Sequence, residues 1–357
     1  MGQKWQAVAR EDGARVVVAN GAEGEPGSIK DRYVMTARPS EVLQGLALAA
    51  RAIGASEAIV ALKRSFAAAA GALEAARRAA PPPGLNIEVR TGEESYIFGE
   101  ETALLESLEG RRAWPRPKPP YPAAVGYQGR PTLVQNVETL ARVPAAVADP
   151  EAFRAAAPTL VSLWGHVARP GVYEVRLGTP IARLIEDQGG GAPDGVSLVF
   201  PAGPSAPPLP PERLDTALEP EALAAAGSAL GTASVLVIGR SSDLSSVLES
   251  LAAFFERESC GQCPPCTVGT ATLHRIVGAV AGGTARQKDR SDFAEAAFFM
   301  KDHGYCAHCR TAAATVGALL ARAGGAPAAA ARACRPFDAD SPERRAIEAV
   351  AAGFRAA

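Results

Sequence analysis

Long hydrophobic runs are missing from this chain of 357 residues. No apolar stretch approaches the roughly 18 residues that a membrane-spanning helix needs, so we expect no direct membrane insertion. The first residues, MGQKWQAVARED, contain neither an apolar signal-peptide core nor a twin-arginine pair, and they predict no secretory signal. These absences favour a cytoplasmic location.

An excess of charge of either sign is also missing. The formal net charge is −1 at pH 7 and the isoelectric point is near 6.5, so no basic field indicates nucleic acid as a partner. Hydrophobic residues make up 47% of the chain, which is typical of a globular protein, and the length predicts two or three domains.

Short β-branched runs and helical patterns alternate along the first 90 residues. This order predicts an α/β layer with a mostly parallel sheet. Strands are expected at 14–20, 57–62 and 87–90, and helices at 40–54 and 65–80. Later, 159–200 reads as a small β-rich module with one helix near 180–188, and the chain is helical from about residue 245.

Six cysteines in a reduced compartment are better explained as metal ligands or catalytic thiols than as disulfides. Cys260, Cys263 and Cys266 form a CxxCxxC loop, and Cys306 follows after 39 further residues. Three thiolates in one tight loop and a distant fourth are typical of a [4Fe–4S] cluster. A helical hairpin can bring the fourth thiolate back to the loop.

Zinc is the main alternative at this site, because four thiolates also suit that ion. Zinc sites usually use two CxxC pairs, so the spacing favours iron–sulfur. His308 and Cys309 lie beside Cys306 and are alternative fourth ligands, although Cys309 is better explained as an inert buried thiol. Cys334 is expected to be structural or incidental.

Several motifs, taken in order, resemble the flavoprotein subunit of NADH–quinone oxidoreductase, the 51-kilodalton subunit of respiratory complex I. Diaphorase subunits of soluble hydrogenases and formate dehydrogenases belong to the same family. The resemblance extends from Gly2 to about Leu320. It rests on GQKW, NGAEGEPGSIKDRYVM, YIFGEETALLESLEGRRAWPRPKPPYP, GRPTLVQNVETLA, GHVARPGVYEV and ESCGQCPPC with Cys306.

The resemblance implies three domains and a tail. Residues 1–157 would form an α/β domain for FMN and NADH, and 158–240 a ubiquitin-like β-grasp module of the SLBB type. Residues 241–325 would form a helical bundle around the [4Fe–4S] cluster, followed by an alanine-rich tail at 326–357. The resemblance also selects Cys306 over Cys309 as the fourth cluster ligand.

The implied activity is an NADH dehydrogenase subunit that passes electrons from NADH through FMN to the cluster and on toward quinone or another acceptor. A thioredoxin-like [2Fe–2S] subunit and a larger iron–sulfur subunit are the implied partners, at the periphery of a membrane complex. Lys4 is expected to pair with the flavin phosphate. The implied FMN contacts are Gly2, Lys4, Asn20, Glu23, Gly99, Glu100, Glu101, Asn136 and Thr139.

The implied NADH contacts are Glu25, Lys118 and Tyr121, where Tyr121 would stack on the adenine and Glu25 would accept a hydrogen bond from a ribose or an amide. Simpler explanations exist for several of these residues. Asn20 can form a turn, Glu100 and Glu101 can begin a helix, and Lys118 can be a solvated loop residue.

Two departures from the family pattern are visible. The family places a glycine-rich loop, of the form GRGGAGFPTG, before the Lys4-Trp5 pair, and its N–H groups would cradle the flavin phosphate. We expect that the natural chain starts further upstream; the alternative is weak or absent FMN binding. Ala22 replaces the usual Asp, and Thr267 replaces the usual Arg, which suggests a divergent paralogue.

Two other functions therefore remain open from the sequence. One is an electron-relay or assembly subunit that keeps the cluster without flavin. The other is a structural zinc protein on the same scaffold.

Overall fold

The computed structural model describes residues 2–323 and 332–354, which fall into two compact units. The first unit contains residues 2–24, 29–157 and 353–354, and the second contains residues 25–28 and 158–352. The domain ranges predicted above stay predictions. The end of the predicted helical domain at 324–325, and the tail at 326–331 and 355–357, lie outside the described residues.

A parallel four-stranded sheet forms the centre of the first unit, in the order β3-β2-β1-β4. Its valine-rich first strand is buried along nearly its whole length, as expected for a parallel sheet covered on both faces. The α/β layer predicted from the sequence is confirmed. The strands are β1 Val16–Gly21, β2 Glu57–Lys63, β3 Asn86–Gly92 and β4 Thr132–Asn136.

Seven helices accompany this sheet in the described residues of the first unit. Helix α3 packs directly on α6, and the contact is so close that a Cβ added at Gly45 would overlap the carbonyl oxygen of Leu140. The helices are α1 Gly2–Ala9, α2 Lys30–Ala37, α3 Pro39–Ile53, α4 Ala67–Ala79, α5 Glu101–Leu108, α6 Val137–Ala148 and α7 Pro150–Ala156.

The second unit begins with a mixed four-stranded sheet in the order β6-β5-β8-β7. Strands β5 and β8 are parallel, and the outer pairs are antiparallel. Trp164 is fully buried here, and its indole N–H donates to Ser234. The elements are β5 Pro158–Gly165, β6 Gly171–Arg176, α8 Ile181–Arg183 leading into a π-helical turn at Leu184–Gln188, β7 Val196–Pro204, α9 Pro220–Ala225 and β8 Ser234–Gly239.

Four helices of the second unit pack together after this sheet. The apolar residues of α10 recur at helical spacing, so that Val247, Leu251 and Phe255 are buried on one face. Within the described residues, no helix is long and apolar enough to cross a membrane. The elements are β9 Ser242–Asp243, α10 Leu244–Arg257, α11 Pro264–Ala281, α12 Gln287–His303, α13 Ala307–Ala323, β10 Arg332–Ala333 and α14 Pro342–Ala352.

The chain after α13 returns to the core of the second unit. β10 pairs with β9 in parallel, and Phe337 is fully buried with its ring 5.5 Å from that of Phe200. The described part of the predicted tail is therefore packed against this core.

Candidate functional site

Three of the predicted cluster thiols lie in and around the loop between α10 and α11. Cys260 is in the loop itself, Cys263 is the N-cap residue of α11, and Cys266 lies in the first turn of that helix. Pro264-Pro265 occupies the first helical positions, where a missing N–H costs nothing because no intrahelical partner exists there. The sequence thus places a helix N-terminus beside the thiols.

The fourth thiol arrives by a helical hairpin, as the spacing predicts. Helices α11 and α12 pack on each other, and Cys306 directly precedes α13. Its sulfur accepts backbone N–H groups from His308 and Cys309 at the start of that helix. Two helix N-termini therefore lie beside the thiols. The start of α13 donates N–H groups to Cys306, whereas α11 begins with two prolines and contributes only the positive end of its dipole.

The four sulfurs are close enough to influence one another's ionisation. Burial and the neighbouring thiols Cys266 and Cys263 raise the pKa of Cys260, while burial raises the pKa of Cys306 to about 11. The pKa of Cys266 falls to about 7, because the Cys309 thiol and the Ser259 hydroxyl donate to its sulfur and outweigh burial. A cation or cluster is the usual means of holding several thiolates together.

The cysteine pattern bears on the choice between a cluster and a zinc ion. A CxxCxxC loop with a distant fourth cysteine is typical of a [4Fe–4S] cluster, whereas zinc sites usually use two CxxC pairs. The donor set, four buried or half-buried thiols around two helix N-termini, fits the larger [4Fe–4S] cluster.

The alternative fourth ligands have other partners. A ring nitrogen of His308 hydrogen-bonds the carbonyl oxygen of Phe255 at 2.9 Å, and the imidazole packs against that phenyl ring. Cys309 is fully buried, and its sulfur also lies 3.4 Å from the carbonyl oxygen of Met300. Its pKa is raised by donation to Cys266 and by burial, so it stays protonated. These contacts favour Cys306 as the ligand.

The sheet topology of the first unit indicates where the predicted flavin-binding residues lie. The sheet order reverses between β1 and β4, because β2 and β3 lie on one side of β1 and β4 lies on the other. Ligands of open α/β sheets bind at the carboxyl ends of the strands at such a switch point. Asn136 is the last residue of β4, Asn20 is the last but one of β1, and the two are paired in register, so the topology brings them together.

Both asparagines also organise the backbone around the switch point. The Asn20 amide donates to the carbonyl oxygen of Gly99 at 2.8 Å, and its oxygen accepts the N–H of Ala22. Asn136 is the N-cap of α6, accepts the N–H groups of Glu138 and Thr139, and donates to Asp31. Asn20 and Gly21 themselves lie in β1, so their backbone does not form the expected turn; the Asn20 side chain instead accepts the N–H of Ala22.

Four predicted site residues come together as an ion-pair cluster. Lys118 Nζ lies 2.8 Å from Glu100 and 2.9 Å from Glu101, and Lys4 lies 2.6 Å from the second oxygen of Glu101. Burial opposes the charge on Glu101, but the two lysines hold its pKa below the usual range. Lys118 lies in an exposed loop, as the simpler explanation expects, and there it pairs with two predicted flavin residues.

Lys4 is the predicted phosphate partner and lies on α1. Its ammonium group is partly exposed and pairs with Glu101 at 2.6 Å. A lysine in this position can also pair with a phosphate group, so its chemistry fits FMN.

Other predicted residues have structural roles in the structure. Glu23 accepts the N–H groups of Asp31 and Arg32 and so stabilises the start of α2. Glu25 belongs to the second unit, is buried, and accepts both the N–H and the hydroxyl of Ser205. Tyr121 is 59% exposed, which leaves its ring available for stacking.

A buried charge cluster beside Asn136 was not predicted. Lys30 lies 2.7 Å from Asp31 and 2.6 Å from Glu138, and all three are buried. Burial opposes the charge on Lys30, yet the carboxylates raise its pKa, while burial raises the pKa of Asp31 to about 6. The Lys-Asp pair inside the NGAEGEPGSIKDRYVM motif was the available signal.

Three protein families match successive parts of the chain. The Nuo51 FMN-binding domain matches residues 1–145, the SLBB domain 160–207, and the NADH-ubiquinone oxidoreductase-F iron-sulfur binding region 246–323. One NADH-quinone oxidoreductase F subunit of Rhizobium meliloti, the one numbered 2, is 37% identical over 310 residues, covering 81% of this chain and 74% of the relative. The chain belongs to the NADH-quinone oxidoreductase F subunit family.

Further members of this family give the same result. The F subunit of Rickettsia bellii is 34% identical over 330 residues, which cover 86% of this chain and 79% of that protein. The F subunit of Streptomyces coelicolor is 36% identical over 328 residues, covering 86% of this chain and 73% of that protein. The resemblance identified from the motifs is confirmed, and the chain is an oxidoreductase subunit.

Solved structures confirm the fold class. An NAD⁺-reducing [NiFe]-hydrogenase in the H₂-reduced state matches 89% of this chain with a TM-score of 0.83 and 35% identity. The air-oxidized state matches 99% with a TM-score of 0.84 and 33% identity. The chain spans 57% and 62% of the length of these two hydrogenase chains.

The family matches confirm FMN and the [4Fe–4S] cluster as cofactors of this chain. The individual FMN, NADH and cluster residues stay predictions, supported by the geometry above.

Proposed function

We propose that this NADH-quinone oxidoreductase F subunit accepts reducing equivalents from NADH at FMN and passes them through a [4Fe–4S] cluster to a partner protein, toward quinone or another acceptor. One observation carries the proposal: a single chain contains both an FMN-binding domain and a four-thiol site in an iron–sulfur region. Bound FMN supplies the conversion of a two-electron hydride into single electrons that a cluster accepts.

The proposed flavin site is the switch point between β1 and β4 together with the ion-pair cluster. Lys4 would pair with the phosphate. Asn20 and Asn136 would position the cofactor from the ends of the two strands, and Gly99 keeps a close approach open. Gly2, Glu23, Glu100, Glu101 and Thr139 complete the proposed set.

Lys118 and Tyr121 are the proposed NADH contacts of the first unit, and Glu25 is the proposed contact of the second. Lys118 supplies a positive charge. Burial lowers the pKa of its ammonium group, but Glu100 and Glu101 raise that pKa by more, so Lys118 stays charged at neutral pH. The exposed ring of Tyr121 is suited to stack on adenine.

Cys260, Cys263, Cys266 and Cys306 are the proposed cluster ligands. The N-termini of α11 and α13 would stabilise the negative charge of the cluster and its thiolates. Cys309 would stay protonated and donate to Cys266, which tunes that ligand without replacing it.

A protein that delivers single electrons needs a second centre to receive them. We propose a thioredoxin-like [2Fe–2S] subunit and a larger iron–sulfur subunit as partners, with the assembly in the cytoplasm at the periphery of a membrane complex. The curated relatives are named as subunits of an NADH-quinone oxidoreductase, which supports an assembly of several chains.

A visible absorption spectrum of anaerobically purified protein tests this proposal. Flavin peaks with a broad iron–sulfur shoulder are expected. The shoulder alone would indicate a relay without flavin, and a colourless protein containing zinc would refute both flavin and cluster.

A second preparation with upstream sequence from the natural gene, including the glycine-rich loop if present, isolates the role of that loop. We expect a higher FMN content per chain in the longer protein. Equal and low FMN content in both preparations would contradict the flavin step.

A further inference from the structure

Three metal-binding side chains from distant parts of the sequence meet within the second unit. His166 follows β5, Cys334 follows β10, and Glu343 lies in the first turn of α14. One ring nitrogen, the thiol sulfur and one carboxylate oxygen all lie within 4.8 Å of one another. Cys334 Sγ is 3.7 Å from Glu343 Oε1. None of the three belongs to the proposed cluster or flavin sites.

Two of these side chains contain buried polar atoms without a partner. His166 Nδ1 and Glu343 Oε2 are both shielded from solvent, and neither makes a hydrogen bond. Leaving such an atom unsatisfied costs about 1–3 kcal/mol, so native structures usually avoid it. A bound cation would satisfy both atoms at once.

The backbone holds two of the three donors, Cys334 and His166, in place without any ligand. Ser246 of α10 accepts the N–H of Cys334 at 2.8 Å, and its hydroxyl lies 3.1 Å from the Cys334 carbonyl oxygen and 2.8 Å from that of Asp243. The N–H of His166 donates to the carbonyl oxygen of Val237 on β8. Donors on fixed backbone are what a preorganised metal site requires.

We propose that His166, Cys334 and Glu343 bind one zinc ion, which connects the β5 and β10 regions to the start of α14 within the second unit. A thiolate, an imidazole and a carboxylate are the ligands that zinc uses in proteins. Zinc–ligand bonds of about 2.0–2.3 Å at tetrahedral angles put neighbouring donors about 3.5 Å apart, close to the Cys334–Glu343 distance.

The surroundings of the three donors favour a dication. The carboxylate of Asp194 interacts electrostatically with both His166 and Cys334, and it is held in place by the N–H and hydroxyl of Ser241. Zinc binding would replace the proton of the Cys334 thiol, which leaves to solvent.

A hydrogen bond without any metal is the competing explanation for the contact between Cys334 and Glu343. The Cys334 thiol can donate to Glu343 Oε1 across 3.7 Å, which needs no metal. That explanation leaves His166 Nδ1 and Glu343 Oε2 unsatisfied, whereas zinc accounts for all three donors.

The test is a metal analysis of the complete chain with its cluster intact. The protein is purified anaerobically, incubated with one equivalent of zinc sulfate and passed over a chelating resin, and zinc and iron are then measured together. We expect about one zinc per chain. H166Q, C334S and E343Q should each lose most of that zinc and keep the iron.

H274Q is the matched control, because His274 also pairs with a carboxylate, Glu256 at 2.5 Å, elsewhere in the second unit. It should keep both metals. Zinc in C334S equal to that of the wild type would overturn the proposal, as would zinc that disappears in C260S but persists in C334S. If C334S fails to fold, E343Q decides the question.

X-ray absorption at the zinc edge gives an independent readout. One sulfur and at least two nitrogen or oxygen neighbours are expected. Coordination by sulfur alone would place the zinc on the cluster thiols and refute the proposal.

Discussion

At the scale of single residues, two neighbouring cysteines of one short segment have opposite environments. Cys306 precedes α13, and its sulfur accepts backbone N–H groups, whereas Cys309 is buried inside the first turn and donates its proton. The sequence alone left both as candidate ligands, since their spacing from Cys266 differs by only three residues. The two cysteines differ in their hydrogen bonds: the sulfur of Cys306 accepts, whereas the thiol of Cys309 donates.

Replacing each of these thiols tests the assignment. We expect C306S to lower iron well below about four atoms per chain, because one iron of the cluster loses its ligand. C309S should keep the iron content of the wild type. Iron analysis with electron paramagnetic resonance of the reduced protein measures both, and normal iron in C306S would exclude Cys306 as the ligand.

The ion pairs of Glu101 predict a pH dependence of stability. Its pKa lies below the ordinary value of 4.5, so the stabilisation is complete above that value and is lost as the pH falls through the lowered pKa. Removing one lysine with K118M should lower the free energy of unfolding at neutral pH by about 1 kcal/mol. The midpoint of acid unfolding should move to higher pH.

Circular dichroism across a pH series measures this effect. K288M is the control, because Lys288 is exposed on α12. An identical acid midpoint in the wild type and K118M would show that the Lys118 pairs add no stability.

At the scale of elements, helix starts in the first unit are also the predicted cofactor positions. Glu100 is the N-cap of α5 and accepts two backbone N–H groups, and Asn136 does the same for α6. The simpler explanation of Glu100 as a helix start is thus confirmed. The other oxygen of Glu100 is paired with Lys118, and the amide nitrogen of Asn136 donates to Asp31, so both side chains are held in place at the proposed flavin site.

Helix packing in the first unit depends on one glycine. A Cβ at Gly45 would overlap the Leu140 carbonyl oxygen, so G45A should force α3 and α6 apart and destabilise the protein by about 1–3 kcal/mol. G71A is the matched control, because Gly71 lies in α4 with no atom near its Cβ position. That change should stabilise the protein by about 0.5–1 kcal/mol.

Urea unfolding of both variants measures the two effects. Equal stabilities for G45A and G71A would mean that the contact between α3 and α6 relaxes without cost.

At the scale of the whole molecule, the cluster site depends on segments that are far apart in sequence. The loop before α11 and the segment before α13 are brought together by the packing of α13 on α10, α11 and α12. A ligand that binds only the folded state stabilises it by mass action, and thiols gathered without a cluster repel one another when ionised. The cluster is therefore expected to contribute local stability here.

Removing the cluster tests that expectation. With iron chelated under oxidising conditions and thiols then reduced again, hydrogen exchange should accelerate on the order of tenfold at residues 258–270 and 304–312. The strands β1 to β4 of the first unit serve as the internal control and should keep their protection. Uniform acceleration in both units, or none, would contradict a local role.

The sequence by itself determined the fold class, the family and the cysteine constellation. Strand and helix periodicity, the proline-rich start of α11 and the CxxCxxC spacing are local signals, and local backbone chemistry fixes them. It did not predict the Lys30–Asp31–Glu138 cluster, because Lys30 reaches Glu138 across 108 positions only once α2 and α6 have folded.

Tertiary structure alone decided which residues meet. It paired Lys118 with Glu100 and Glu101, and it placed Glu25 on Ser205. It also brought Cys334, which looked incidental in the sequence, to His166 and Glu343. The physical reason is that such contacts depend on packing between elements far apart in the chain, whereas the motifs depend on neighbours along it.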